Sequence, residues 1–402
     1  MLLFGGGGDG TYFNDSWIYN CKNSEWRTVK AEGTEPEPRA YHTAVHVGRG
    51  DGGGGRRRLF IFGGWKGDEF INDLSVLEMT RREDKEEEGD VIFSWTTTTA
   101  TGVPPGPRAY HTAVEIDGKM VVFGGWGAQD FCGDVSVLSV AEGERPAWET
   151  LSISGESPKA RAAHTCTRIG DLLYVFGGES SDGRLNDVAV LDMTTRQWTF
   201  PKCGGTPPSA RSGHSAAAVG RWLVVYGGWD GDEHLVDLHL LDTVGMRWVS
   251  SRPPVPKDAS VLPITLEGRS GYASALVDGD KLLVTGGWDR EKFLADVVVL
   301  DMVELTRAEW GGGGGLTSNT SPMGKKGSDK LSTGIRLPPG SPTWLQSIVS
   351  AGTPEDRVRV EGLPEWHAFI AQAPKIVDAV DEKMKQDTIV SGGNGTKHKH
   401  KL

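Results

Sequence analysis

A chain of 402 residues with 43 basic and 54 acidic side chains carries a net charge of −11, and this balance argues against general nucleic-acid binding, which needs a basic footprint on phosphate. Hydrophobic residues make up 37% of the chain and 56 residues are glycine, as expected for many short strands joined by tight turns. No run approaches the about 18 apolar residues of a membrane-spanning helix, and Cys21, Cys132, Cys166 and Cys203 form no Cys-x-x-Cys pair, so neither a disulfide nor a zinc framework is expected.

In chain order, the first landmark is Gly5-Gly6, with Asp15 nine residues past the second glycine. The same nine-residue step separates Gly64 from Asp73, Gly125 from Asp134, Gly178 from Asp187, Gly228 from Asp237 and Gly287 from Asp296. Self-similarity over about 300 residues points to a repeat architecture. From the second copy onward, an Arg-x-x-His-Thr run or a near variant comes first: Arg39 with His42, Arg108 with His111, Arg161 with His164, Arg211 with His214, and Arg269 with Tyr272 in place of histidine. A short apolar strand follows, and a second one, such as Met120–Phe123 or Leu172–Phe176, ends in the glycine pair. A third strand begins at the aspartate, and a tryptophan closes each unit: Trp26, Trp95, Trp148, Trp198, Trp248 and Trp310.

Elementary chemistry accounts for these choices. A glycine pair ends a strand where the backbone turns sharply or meets a neighbour, since glycine takes positive φ without strain. The aspartate suits a turn, because its carboxylate accepts backbone N–H groups locally. The tryptophan offers a broad flat surface to the next unit. Four-stranded units cannot bury both faces alone, but stacked radially they can.

This pattern of paired glycines after an apolar strand, a spaced Asp-led strand and a closing tryptophan resembles the kelch repeat family over residues 1–310. The resemblance implies an all-β, six-bladed kelch β-propeller with one four-stranded blade per unit. There are six glycine pairs but five Arg-x-x-(His/Tyr) strands, so the first unit lacks its first strand. Either a divergent segment such as Ile335-Arg336-Leu337 or Val358-Arg359-Val360 closes the first blade, or the chain is shortened at its N-terminus. The runs 48–58, rich in glycine and arginine, and 81–90, mostly acidic, read as solvated insertions between strands. Residues 311–342 read as a Gly/Ser/Lys/Pro linker. Residues 343–388 read as a short helical C-terminal appendage, because Trp366, Phe369, Ile370, Ala373, Val377, Val380 and Met384 recur at three- and four-residue steps. Residues 389–402 read as a disordered basic tail.

In kelch propellers the segment before the innermost strand lies at one rim of the central channel. By that resemblance Arg39, Arg108, Arg161, Arg211 and Arg269 form part of a ring, able to hold a carboxylate or phosphate through paired N–H donors or, alternatively, to tether carbonyls or a neighbouring blade's aspartate. Tyr41 and Tyr110 sit beside the arginines, and Trp65, Trp126, Trp229 and Trp288 follow glycine pairs. Aromatic and arginine side chains together make binding hot spots; the alternative is that these tryptophans pack between blades. Recurrence of His42, His111, His164 and His214 in register points to structural hydrogen bonds rather than to a metal site.

The expected function is therefore a non-catalytic interaction scaffold or adaptor, without cofactor or metal, holding a peptide or loop of a protein partner, an acidic one being an option. A monomeric propeller in the cytoplasm is expected, with the nucleus as an alternative. His400-Lys401-Leu402 departs from the peroxisomal Ser-Lys-Leu address. Two other readings stand beside this one. One is a fragment of a larger multidomain kelch adaptor. The other is an enzyme on the same scaffold, a copper oxidase or an iron-dependent lyase resembling plant specifier proteins. For the lyase, Glu233 and Asp237 match a Glu-x-x-x-Asp-x-x-x-His motif, but Leu241 stands where histidine is needed.

Overall fold

The computed structural model describes residues 1–8, 10–47, 57–81, 91–140, 145–251 and 268–302. Each glycine pair belongs to its own antiparallel sheet, and six such sheets make an all-β, six-bladed propeller. The fourth blade shows the unit plainly. Its strands Thr165–Ile169, Leu172–Phe176, Val188–Asp192 and Gln197–Thr199 run antiparallel in sequence order from the inner to the outer edge. The fifth blade repeats this with Ser215–Val219, Trp222–Tyr226, Leu238–Asp242 and Arg247–Ser251. In the first blade the described strands are Leu2–Gly8, Thr11–Asn20 and Glu25–Thr28.

The chain leaving one blade docks first on the outer edge of the next. Ala31–Gly33, Thr101–Gly102 and Gly204–Gly205 each add a short parallel strand beside Trp95, Trp148 and Trp248 respectively. This covers an edge that would otherwise present unpaired N–H and C=O groups. From there the chain crosses inward to the arginine and the innermost strand.

Blades are welded through their faces. In blades one to four the second strand ends in a phenylalanine that the next blade encloses from two sides. Phe62 lies 5.4 Å from His111 and 5.0 Å from Trp148, ring centre to ring centre. Phe123 meets His164 and Trp198, and Phe176 meets His214 and Trp248, at 5.1–5.3 Å. Such tilted and edge-on pairs contribute about 0.5–1.5 kcal/mol each beyond the area they bury. Around them the branched residues of facing strands, for example Val121 and Val137 against Val175 and Leu191, form a continuous buried layer. Trp95, Trp148, Trp198 and Trp248 thus cover the preceding unit as their size suggests, while Trp26 packs on Tyr19 of its own blade.

The strand expected to end at Trp310, the segments 335–337 and 358–360, the linker, the helical segment 343–388 and the tail 389–402 lie outside the described residues, as do most of both insertions. Among the described residues no helix is long and apolar enough to cross a membrane.

Candidate binding face

One guanidinium organises each of blades two to six. Arg161 is fully buried. Its Nη1 donates to the Gly177 carbonyl at 3.0 Å and to Asp187 Oδ1 at 2.8 Å, its Nη2 donates to Oδ2 at 2.8 Å, and its Nε donates to the Lys159 carbonyl at 3.0 Å. Arg108 does the same with Gly124, Asp134 and Gly106, and Arg211 with Gly227, Asp237 and Ser209. Arg39 pairs with Asp73, and Arg269 with Asp296. In blades two to six the nine-residue step has its cause here: a single planar fork holds the start of the loop, at the glycine carbonyl, and its end, at the aspartate, whereas Asp15 of blade one accepts from the Trp17 indole N–H.

The glycine pair is needed because the next blade passes against it. Gly177 has φ +61°, and a Cβ there would lie 2.9 Å from the Arg211 carbonyl oxygen. Its partner Gly178 donates its N–H to that same oxygen at 2.8 Å. The arginine therefore ties its own blade with its side chain and the preceding blade with its backbone.

Two residues past each arginine the chain turns through the left-handed region. These residues are Tyr41, Tyr110, Ala163, Gly213 and Gly271, with φ of 58°, 56°, 50°, 62° and 65°. Their backbones join in a belt: Tyr110 N–H donates to Tyr41 O at 3.0 Å, Ala163 to Tyr110 at 2.9 Å, Gly213 to Ala163 at 2.9 Å, and Gly271 to Gly213 at 3.1 Å. The histidines reinforce it from one blade to the one before. Nε2 of His111, His164 and His214 shares a hydrogen bond with Thr43, Thr112 and Thr165 Oγ1 at 2.8–3.0 Å. Burial, with the adjacent arginine charge adding to it, pushes His111 and His214 down from 6.5 to about 3, and pushes His164 well below its ordinary value. These rings are neutral and structural. Tyr272 replaces the histidine and spans the same gap, accepting from Ser215 N–H at 3.0 Å and donating to the Tyr226 carbonyl.

The arginine segments and the loops after the glycine pairs share one face, since bridges such as Ala40 to Trp65, Ser212 to Trp229 and Ser270 to Trp288 join them. On it the two tyrosines of the belt stack at 4.0 Å and 21°, both half-buried. Left-handed backbone costs an L-residue with a side chain about 1–2 kcal/mol, and blades five and six meet the same geometry with glycine. Tyr12 of blade one lies beside Trp65 and within electrostatic reach of Tyr41, and Trp65 packs on Phe70 at 4.6 Å. Trp126 packs on Phe131 at 4.3 Å, and His234 lies between Trp229 at 4.5 Å and Trp288 at 5.2 Å. All four tryptophans are partly exposed.

The arginine ring needs correction. All five guanidiniums are at most 3% exposed and are committed to aspartates of their own blade, not of a neighbour. Sequence alone registers the repeated arginine but not the direction of its side chain. The glycine-carbonyl and aspartate acceptors inside the blade outcompete solvent for its fork. Tyr41, Tyr110, Trp65, Trp126, Trp229 and Trp288, by contrast, lie on one face. In the lyase-like motif, Leu241 is wholly buried in the core between blades four and five. Burial alone would raise the Asp237 carboxyl, but its bonds from Arg211 and His239 outweigh this and hold it well below the usual range. Among the described residues no group of three or more His, Cys, Asp or Glu is placed to hold a metal ion.

Two repeated signals went unread. A glycine six residues before the arginine, at Gly33, Gly102, Gly155 and Gly205, lays the backbone on the carbonyl of the closing tryptophan, where a Cβ would fall 2.2–2.5 Å from that oxygen. A proline three residues before it, at Pro36, Pro105, Pro158 and Pro208, is buried, and in three of these places its carbonyl accepts from Asn14, Asn72 or Asn186 of the preceding blade at 2.9–3.1 Å. Both lie in the repeat alignment and needed only a wider window.

Blades tethered in this way, with glycine pairs locked by a buried arginine, define a kelch-repeat propeller. A model of the KLHDC2/KLHL20/DRC7 Kelch-repeats domain matches residues 1–145 and 138–313, and the chain belongs to this family. Among curated proteins it is 32% identical over 198 residues to human host cell factor 1, covering 44% of this chain and 9% of that protein. It is 29% identical over 198 residues to the Drosophila melanogaster leucine-zipper-like transcriptional regulator 1 homolog, covering 49% of this chain and 19% of that protein. With bovine Kelch domain-containing protein 2 the identity is 26% over 202 residues, covering 45% of this chain and 46% of that protein. The chain thus spans less than half the length of each of these relatives.

Proposed function

We propose that this chain is a non-catalytic protein-interaction scaffold that holds a peptide or loop of a protein partner on the face bearing Trp65, Trp126, Trp229, Trp288, Tyr41 and Tyr110. One observation carries the reading: partly exposed aromatics from four blades are gathered on one face of a frame whose loops are clamped at both ends by buried arginines. Rigid aromatic side chains lose little entropy on binding and dominate interface energetics. The arginines contribute by position rather than by contact. The family membership and the relatives named above support a scaffold role through the shared propeller.

The test is affinity capture from native lysate with the full chain, comparing wild type with Trp126→Ala plus Trp288→Ala. Val244→Ala is the control, because Val244 is 74% exposed in the loop between third and fourth strands, at the opposite face. Loss of a bound protein with the paired tryptophan variant and its retention with the control is the expected result. Equal recovery from all three overturns the reading.

A further inference from the structure

The same face has a charge that bears on its partner. In the loops between the glycine pair and the third strand of blades two to six, residues 65–72, 126–133, 179–186, 229–236 and 288–295 carry ten acidic side chains against four basic ones, of which Arg184 lies 3.9 Å from Glu179. Most of the acids are exposed, Asp68, Glu69, Asp130, Asp182, Asp232, Glu233 and Glu291 among them. The bases are already engaged. Lys66 bonds Glu37 at 3.1 Å and Glu69 at 2.6 Å, Arg290 donates to the Asp232 carbonyl, and Lys292 lies 3.9 Å from Asp289. The five repeated arginines, which would have balanced the face, are inside the blades and neutralised there.

Beside this acidic border stands the strained tyrosine pair. Tyr41 and Tyr110 hold left-handed backbone where Ala163 holds it with a methyl alone and Gly213 and Gly271 hold it freely, so the folded belt does not require their rings. Large side chains kept where the belt needs none are candidates for ligand contact. The loop 66–69 lies over Tyr12, since a Cβ on Gly67 would come within 3.0 Å of that ring, which sets Asp68 and Glu69 at the edge of the aromatic group. Across the face, Arg290 lies with its guanidinium 4.9 Å over the partly exposed Trp229 ring, so a cation on an indole is a contact this surface already makes within itself.

We infer that the partner segment is cationic: a lysine- or arginine-bearing stretch of a protein, its aliphatic stems and charges lying on Tyr41, Tyr110, Tyr12 and Trp65 and its charge met by Asp68 and by the net negative charge that the Glu37–Lys66–Glu69 cluster retains. This rests on the interaction face proposed above and reverses the acidic chemistry that an exposed arginine ring would have favoured. Acidic loops raise the local concentration of a basic segment and speed its encounter, while the ring faces supply attraction that survives partial desolvation.

The test uses the full chain and two fluorescein-labelled peptides of equal length, one of alternating Arg and Gly, the other of alternating Glu and Gly, read by anisotropy. The variants are Tyr41→Gly plus Tyr110→Gly, which keeps the belt in its natural backbone, and Asp68→Asn plus Glu69→Gln. Binding of the Arg-Gly peptide, weakened by salt and about tenfold weaker in either variant while each still unfolds in a single cooperative thermal transition, is the expected result. Undiminished binding by both folded variants overturns the inference, as does failure of the wild type to bind the Arg-Gly peptide. Preferential binding of the Glu-Gly peptide that is lost in the tyrosine variant overturns the cationic partner while leaving the face intact. The face itself stands or falls separately on the Trp126 and Trp288 capture.

Discussion

Replacing Arg161 by Met removes four donors from a site that offers no substitute. The Gly177 and Lys159 carbonyls lose their partners at 3.0 Å, and Asp187 is left without its fork. Breaking a buried pair from one side costs about 3–5 kcal/mol, because the surviving charge stays desolvated. Asp187 keeps 36% of its side chain exposed, so water relieves part of that cost and the lower end, about 3 kcal/mol, is expected. Arg161→Lys keeps the charge but not the planar fork and should lose about 1–2 kcal/mol, a charged hydrogen bond's worth. The assay is urea unfolding followed by tryptophan fluorescence, extended to a double-mutant cycle with Asp187→Asn. The two single losses should overlap, giving a coupling of about 2–3 kcal/mol. A loss below about 1 kcal/mol for Arg161→Met, the level of an ordinary surface ion pair, would refute the idea that the guanidinium clamps the loop.

Acid should loosen the propeller well above the range where carboxylates titrate. With folded values of about 3 for His111 and His214 against 6.5 unfolded, their stabilising neutrality is complete above 6.5 and is lost as pH falls toward 3. At pH 5 each contributes a loss of about 2 kcal/mol relative to pH 7.5, and an unchanged urea midpoint between those two values would count against neutral buried rings. Gly177→Ala should destabilise by about 2–5 kcal/mol, combining left-handed strain with overlap on the Arg211 carbonyl. Gly170→Ala, where φ is +63° but nothing lies within 4 Å, should cost only about 1–2 kcal/mol. Equal losses at the two sites, by the same unfolding assay, would remove the close-approach argument.

The repeat was legible because its chemistry is local in register. Asp187 and Gly178 sit in one loop, and their spacing reports the span of a single guanidinium fork. The inter-blade role of the histidines and of Trp198 could be anticipated for the same reason, since a residue that recurs in every copy performs the same packing task each time. What the sequence concealed was direction. A repeated arginine can face a channel or its own blade with no change in spacing, and only the buried acceptors at Gly177 and Asp187 decide it. The tyrosine pair was visible as two aromatics, yet its meaning comes from lining up Tyr41 and Tyr110 with Gly213 and Gly271, and from learning that the column is left-handed. The charge of the face was likewise hidden, because it depends on subtracting arginines that a sequence count includes.

The contacts between blades all point the same way along the chain. The aromatic at the end of one second strand is covered by the histidine and tryptophan of the following copy, its glycine pair receives that copy's arginine backbone, and its asparagine reaches that copy's proline. Each described joint has a plug side and a socket side, alike in plan from copy to copy, with Tyr272 standing for the histidine where blades five and six meet. Gain or loss of a whole copy would therefore reuse the same joint plan with a change of ring radius, whereas a change inside one copy alters two joints at once. Variation is thereby steered toward the loop tips, which the buried clamps and the backbone belt do not constrain.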